Sequence, residues 1–316
     1  MKILTQTSPS LFKLLGVKQT LQLYADAGFE GLDWNFGDEL TNKQIRAGNY
    51  RGISCFDGDV RQVVAHYAPQ FEMARAAGLA VTQGHAPFPP RLENDPTCLD
   101  FMIEVYKKNI LACGQLGCKS LVIHGMHRTK GGVQESQRHV DELNLHLYRS
   151  LIPTLLQAQV TVCLENLFFR HAPLHGRGMI YQGHCSDPHE AIELIDLLNA
   201  EAGRECFGIC VDIGHLHLVG ADERKYLSLL GKRVKALHLH DNDGNDDDHL
   251  APYNGSVIWA EVLQALAEIG YEGDLDFEIG KQINPKALPI ELLPAQLASI
   301  AATGRYFCEQ IQAKKA

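Results

Sequence analysis

Short apolar, β-rich runs recur along the chain. Each is followed by a stretch with the i, i+3, i+4 spacing of an amphipathic helix. The runs that read as strands are residues 3–6, 31–34, 79–85, 120–124, 160–165, 207–212, 234–240 and 274–278. Helical patterns cover 17–27, 59–77, 97–116, 136–158, 187–202, 222–231, 256–269 and 290–313. Four helical patterns stop at a glycine just before the next strand: Gly28, Gly78, Gly117 and Gly270. Glycine past a helix end takes the left-handed C′ conformation at little cost. Eight strands alternating with eight helices is the count of an α/β (β/α)8 TIM barrel. A doubly wound open sheet is the rival, and no G-x-G-x-x-G follows the first strand. With no Pro/Gly/Ser-rich linker, internal repeat or low-complexity tract, a single TIM-barrel domain over residues 1–316 is expected.

Composition narrows the function classes. The 29 basic against 38 acidic residues leave a net charge of −9, which disfavours a nucleic-acid backbone as partner. No apolar run approaches the ~18 residues of a membrane span. The opening MKILTQTSPSLFKLLG lacks an apolar core followed by a small-residue cleavage site, so no signal peptide is expected. The nine cysteines are odd in number and none is spaced C-x-x-C. Reduced, mostly buried thiols and a cytoplasmic location follow as expectations. Cys113, Cys118, Cys206 and Cys210 sit in helix or strand patterns and read as packing residues.

The strand ends carry the chemistry. In a barrel of this kind, function sits at the C-terminal ends of the strands. Strand three ends in GHAPF with His85, strand four in VIHG with His124, and strand five in CLEN with Glu165. Strand six ends in CVDIGH with Asp212 and His215, strand seven in LHLHDN with His238, His240 and Asp241, and strand eight in DFEIG with Glu278. A single polar residue at a strand end is usually a cap. Six successive strands ending in acids or histidines are hard to reach by chance. Mixed imidazole and carboxylate donors suit Zn, Mn, Fe, Co or Ni better than Ca or Mg alone. Carboxylates gathered this closely would repel without a cation between them.

These motifs resemble the xylose-isomerase-like TIM-barrel superfamily, which includes sugar isomerases and epimerases, inosose dehydratases and the apurinic-site nuclease endonuclease IV. The most specific pieces are LEN at Glu165, DIGH at Asp212–His215, HLHDN at His238, DDHLAPYNGSVIW from Asp247, and FEIG at Glu278. The epimerase branch implies one divalent metal held by Glu165, Asp212, His238 and Glu278, with Glu165 and Glu278 also as the catalytic carboxylates. The nuclease branch implies up to three metals, and its further ligands match His85, His124, His215, Asp247 and His249. With one metal, those five are substrate-binding candidates. Zn, Mn, Co, Ni, Fe or Mg is the cofactor expected.

Neighbouring residues are read separately. His238 and His240 are two apart on one strand and face the same way. His238 heads the H-x-x-D pattern, and His240 is left open between a ligand and a packed or hydrogen-bonded barrel histidine. His217 reads as structural. The tract Asp241–His249 mimics the start of an EF-hand loop. It fails at Asp246 and Pro252, and reads as a solvated acidic loop apart from Asp247-x-His249. Gly131–Val133 lies in a loop without the Walker lysine and reads as a lid segment. Arg170, Arg177 and Lys281 stand just past strand ends, within reach of an anionic substrate. Trp34 and Phe36 could wall a sugar ring or pack in the rim. Ketohexose 3-epimerases carry a Glu and an Arg where this chain has His171 and Gly244, so a free ketohexose is disfavoured.

The leading expectation is a metal-dependent sugar or sugar-phosphate isomerase or epimerase that abstracts a proton next to a carbonyl through an enediolate. The alternatives are an endonuclease IV-like phosphodiesterase and a non-catalytic metal- or sugar-binding barrel. A small-molecule partner is expected, and an oligomer is compatible with the sequence.

Overall fold

The computed structural model describes residues 1–90, 95, 97–126, 135–171 and 178–315. Its strands are β1 (Ile3–Gln6), β2 (Gly31–Asn35), β3 (Ala80–His85), β4 (Ser120–Val122), β5 (Thr161–Glu165), β6 (Phe168–His171), β7 (Met179–Gln182), β8 (Phe207–Asp212), β9 (Val234–His238) and β10 (Leu275–Phe277). The eight expected strands are all present. Those ending at His124, His240 and Glu278 are shorter than expected, so these three residues stand just past the strand ends. The hairpin β6–β7, antiparallel from Phe168↔Gln182 to His171↔Met179, was not expected from the sequence. Neither was the helix Pro9–Leu15, which Ser8 caps by accepting from the Leu11 backbone N–H. Gly131–Val133 and Arg177 lie outside the described residues.

The main sheet orders its strands β10-β1-β2-β3-β4-β5-β8-β9, the sequential parallel order of a TIM barrel. The chain divides into two compact units.

The first unit comprises residues 1–34, 70–82 and 210–316. Here β1 pairs in parallel with β10 (Ile3↔Leu275) and with β2 (Leu4↔Gly31). A parallel bridge, Leu239↔Phe277, links the residue after β9 to β10. The helix Val17–Ala27 ends at Gly28, whose φ of 97° is the left-handed cap the sequence anticipates. Trp34 is buried between Phe12 and Phe71, at centroid distances of 5.7 and 5.1 Å. It is therefore a core residue and not a wall for a sugar ring.

The second unit comprises residues 35–69 and 83–209. In it β3 pairs with β4 (Gln83↔Ser120) and β4 with β5 (Ser120↔Thr161), both in parallel. Phe36 is fully buried edge-on against Tyr67 at 4.8 Å, so it too packs in the core. Cys113, Cys118 and Cys206 are buried in this unit, as Cys210 is in the first. Among the described residues no helix is long and apolar enough to cross a membrane.

Candidate metal centre

In the first unit, three strand ends deliver the donors. Asp212 closes β8 and caps the helix Ile213–Leu218, accepting from the His215 backbone N–H at 2.7 Å. That cap fixes the carboxylate and places His215 in the helix's first turn. His238 closes β9, and Glu278 follows β10. Nδ1 of His238 lies 3.3 Å from Glu278 Oε2 and 3.9 Å from Asp212 Oδ2. Its other nitrogen, Nε2, donates to Asp33 Oδ2 at 3.1 Å. A ring that gives its Nε2 proton to a carboxylate keeps the Nδ1 lone pair for a cation. Asp33, Asp212 and His238 are all fully buried. Carboxylates and an imidazole lone pair aimed at one another, with no lysine or arginine among the donors, fit a divalent ion.

Behind them lies a second carboxyl. Asp276, fully buried in β10, has its pKa pushed far above the usual range, first by burial and then by the negative charge of Asp33. Gln6 at the end of β1 donates to Glu278 Oε1 at 3.0 Å, holding one carboxylate oxygen while the other faces His238.

The segment after β9 supplies a second group. His249 Nδ1 donates to the Glu278 backbone carbonyl at 2.8 Å, which leaves Nε2 facing Asp247 Oδ2 at 2.9 Å. Burial opposes protonation of His249. The charges of Glu278 and Asp247, with the Asp247 hydrogen bond, outweigh it and raise the pKa to about 9. Burial likewise opposes ionisation of Asp247, yet His249, His215 and His240 hold its carboxyl well below the ordinary range. His240 is fully buried, with Nε2 3.0 Å from Asp212 Oδ1 and 3.8 Å from Asp247 Oδ1. The sequence left this residue open. In the structure its Nε2 is hydrogen-bonded to Asp212 and also faces Asp247.

Asp241 corrects the solvated reading of the acidic loop. It is fully buried and accepts from the backbone N–H groups of Asn242, Tyr253 and Val257 at 2.9–3.1 Å, and from Trp259 Nε1 at 2.9 Å. Asp243 and Asp246 are exposed, as a solvated loop requires. His217 is held between Glu223 and Ser256, which is the structural role expected of it. Lys281 is exposed.

In the second unit, His85 closes β3, Glu165 closes β5, and His124 stands two residues past β4. His124 Nε2 lies 2.8 Å from Glu165 Oε2 and 2.9 Å from His85 Nε2, and His85 Nε2 lies 3.8 Å from the same carboxylate oxygen. His85 Nδ1 donates to the Ala86 carbonyl at 2.9 Å, so its Nε2 carries a lone pair. Two imidazoles and a buried carboxylate converging within 4.8 Å of one another form a donor set for a divalent ion.

Sequence reasoning missed Asp33 and Gln6. Asp33 had a signal, an acid inside the apolar run GLDWN, where a buried charge needs a partner. Gln6 had none.

Comparison with known proteins agrees with this architecture. Residues 21–296 match the family described as xylose isomerase-like TIM barrel. The uncharacterized protein y4fM of Sinorhizobium fredii is 24% identical over 280 residues, 83% of this chain and 81% of that protein. The D-psicose 3-epimerase of Enterocloster bolteae is 31% identical over 94 residues, 29% of this chain but only 28% of that enzyme. Among solved structures, a D-tagatose 3-epimerase-like protein superposes with a TM-score of 0.66 at 19% identity, covering 100% of both chains. The IolI protein, crystallised with a bound zinc atom, superposes at 0.62 with 16% identity over 100% of this chain and 99% of that one. At such identities the structural likeness concerns the fold. The profile match spans most of the chain, from before β2 to beyond β10, and on it the chain belongs to the xylose isomerase-like TIM-barrel family.

Proposed function

We propose that this protein is a divalent-metal-dependent isomerase or epimerase acting on a sugar or sugar phosphate. The observation that carries the reading is the convergence of Asp212 Oδ2, His238 Nδ1 and Glu278 Oε2 in the first unit, with Asp33 holding the outer nitrogen of His238. The family resemblance also implies Glu165 as a metal ligand. A divalent ion bound by these groups would polarise a substrate carbonyl and its neighbouring hydroxyl.

The protein's own groups do the rest. Glu278 has one oxygen fixed by Gln6 and one directed at the donor cluster, so it is placed to take a proton from carbon next to a carbonyl. Glu165 is the candidate for the second proton-handling carboxylate, with His124 holding its Oε2. His85, His124, His215, Asp247 and His249 then bind substrate oxygens or further metal. The psicose epimerase likeness supports a carbohydrate substrate, while His171 and Gly244 disfavour a free ketohexose.

A second reading is an endonuclease IV-like phosphodiesterase. It is favoured by the two further donor groups, His85–His124–Glu165 and His215–Asp247–His249. The net charge of −9 disfavours it.

The deciding experiment incubates metal-loaded protein with a panel of sugars and sugar phosphates in D2O and reads deuterium at carbon next to the carbonyl. Exchange with one substrate class is expected. No exchange with any sugar, together with cleavage of an abasic oligonucleotide, would transfer the assignment to the phosphodiesterase.

A further inference from the structure

Three of the site histidines are aimed by an acceptor behind the ring. His85 Nδ1 donates to the Ala86 carbonyl, His238 Nε2 to Asp33 and His249 Nδ1 to the Glu278 carbonyl. His124 has no such acceptor: its Nδ1 is buried and without a hydrogen-bond partner among the described residues. Yet its Nε2 meets Glu165 Oε2 at 2.8 Å and His85 Nε2 at 2.9 Å. A ring aimed this closely needs a second fixed point besides Nε2. We infer that the backbone on either side of His124 is that point, and that Asn144 and Tyr148 are the positioning residues that fix it. The inference rests on the proposed function, in which His124 holds the second proton-handling carboxylate.

Asn144 and Tyr148 are four apart on the helix Glu135–Ala158, so both leave the same helix face. Both are fully buried. On one side of His124, the Ile123 N–H is held in the sheet by the Cys163 carbonyl at 3.0 Å. The Ile123 carbonyl accepts from the Tyr148 hydroxyl at 3.1 Å. On the other side, the Asn144 amide takes both polar groups of Met126. Its Oδ1 accepts from the Met126 N–H at 2.7 Å, and its Nδ2 donates to the Met126 carbonyl at 3.3 Å. His124 and Gly125 therefore span two points pinned to one helix face.

Gly125 completes the hold. An added Cβ there would lie 2.2 Å from His184 Cδ2, so the glycine of the VIHG run is what lets the His184 ring lie against the turn. His184 stacks on Tyr148 at 5.9 Å with an interplanar angle of 17°, and its Nδ1 lies 3.1 Å from Glu190 Oε1. Tyr148 thus bears on the turn twice, through its hydroxyl at Ile123 and through the imidazole it supports at Gly125. Interactions this far from the reacting atoms matter because a displacement of about 1 Å in a catalytic group can cost ~10²-fold in rate.

The test follows the ring and the reaction separately. Tyr148→Phe removes one hydroxyl, and Asn144→Leu removes both amide contacts. In protein labelled at histidine and phenylalanine, with His124 assigned by His124→Gln, wild type is expected to show NOE cross-peaks from His124 to the His85 and Phe88 rings. Those ring centroids lie 4.6 and 5.3 Å away. Each variant should weaken these cross-peaks at least twofold and leave the His238 and His249 resonances unmoved. On the sugar that gives deuterium exchange with wild type, each variant should lower kcat about tenfold or more at unchanged KM. A loss of urea stability with cross-peaks and kcat at wild-type values would make the two residues supports of the fold alone and overturn the inference. Weakened cross-peaks with kcat unchanged overturn it as well. If wild type exchanges no sugar, the proposed function fails and the cross-peaks alone decide: weakened in the variants, the positioning role stands, and unchanged, it falls. Should Asn144→Leu fail to fold, Tyr148→Phe decides by the same readings.

Discussion

Asp33 Oδ2 accepts a hydrogen bond from His238 Nε2 at 3.1 Å, with both side chains fully buried. The bond fixes the tautomer of His238 and turns Nδ1 toward Asp212 and Glu278. A carboxylate behind a metal-binding imidazole raises its basicity and holds its orientation.

Asp33→Asn keeps the shape and one acceptor oxygen but removes the charge. Divalent-ion affinity is expected to fall roughly 10–100-fold, the usual cost of losing an outer partner of a ligand histidine. Chelator competition measures it. Unchanged affinity would show that His238 does not depend on Asp33.

The loop after β9 depends on Asp241. Its carboxylate gathers three backbone N–H groups and the Trp259 indole. Asp241→Ala leaves these donors without their acceptor, each buried one costing about 1–3 kcal/mol. A loss of at least about 3 kcal/mol in urea unfolding is expected, in the presence of chelator as well as metal. A loss that appears only with metal present would make Asp241 part of the ion site instead.

Asp38 gives a pH test away from the donor clusters. Burial, and then the charge of Glu39, raises its carboxyl to about 7. The unfolded chain ionises it near 4. Below that pH both states are protonated and Asp38 costs nothing. As pH rises toward 7 the unfolded state releases the proton first, so stability is lost, and the loss levels off above 7. Asp38→Asn lacks this penalty. Its stability advantage over wild type, read from urea unfolding, should be small at pH 4 and grow toward pH 8, up to about 4 kcal/mol at 1.36 kcal/mol per pKa unit. Equal midpoints at pH 8 would mean the carboxyl is better solvated than its burial implies.

Much of this was legible in the sequence because barrel strands are short apolar runs with chemistry at one end. β1 and β8 fall where the pattern puts them, and the donors of both units come from the expected strand ends. What escaped notice depends on distance in sequence. Asp33 and His238 are 205 positions apart, and no local period links them. His240 could be placed only once Gly214, from another strand end, was seen to make room for its ring. Asp241 looked solvated because it sits in an acidic tract. Its partners at Tyr253, Val257 and Trp259 come from the chain's return, which composition cannot reveal. The hairpin β6–β7 lies between two barrel strands, where the alternation of strand and helix predicts a plain connection.

The last prediction concerns the proton. Glu278 has Oε1 held by Gln6 at 3.0 Å and Oε2 at 3.3 Å from His238 Nδ1. One oxygen can thus stay with the donor cluster while the other takes the substrate's proton. A positioned base contributes typically ~10²–10⁴-fold to the rate. Glu278→Gln keeps the volume and a ligating oxygen but cannot accept a proton. It is expected to retain most of the bound metal and to slow exchange of substrate hydrogen with solvent deuterium by at least about 100-fold. Gln6→Leu removes only the hydrogen bond to Oε1. It should lower the exchange rate less and leave metal content unchanged. If Glu278→Gln keeps both its metal and full exchange, Glu278 is a ligand alone, and Glu165 becomes the remaining carboxylate to test as the base.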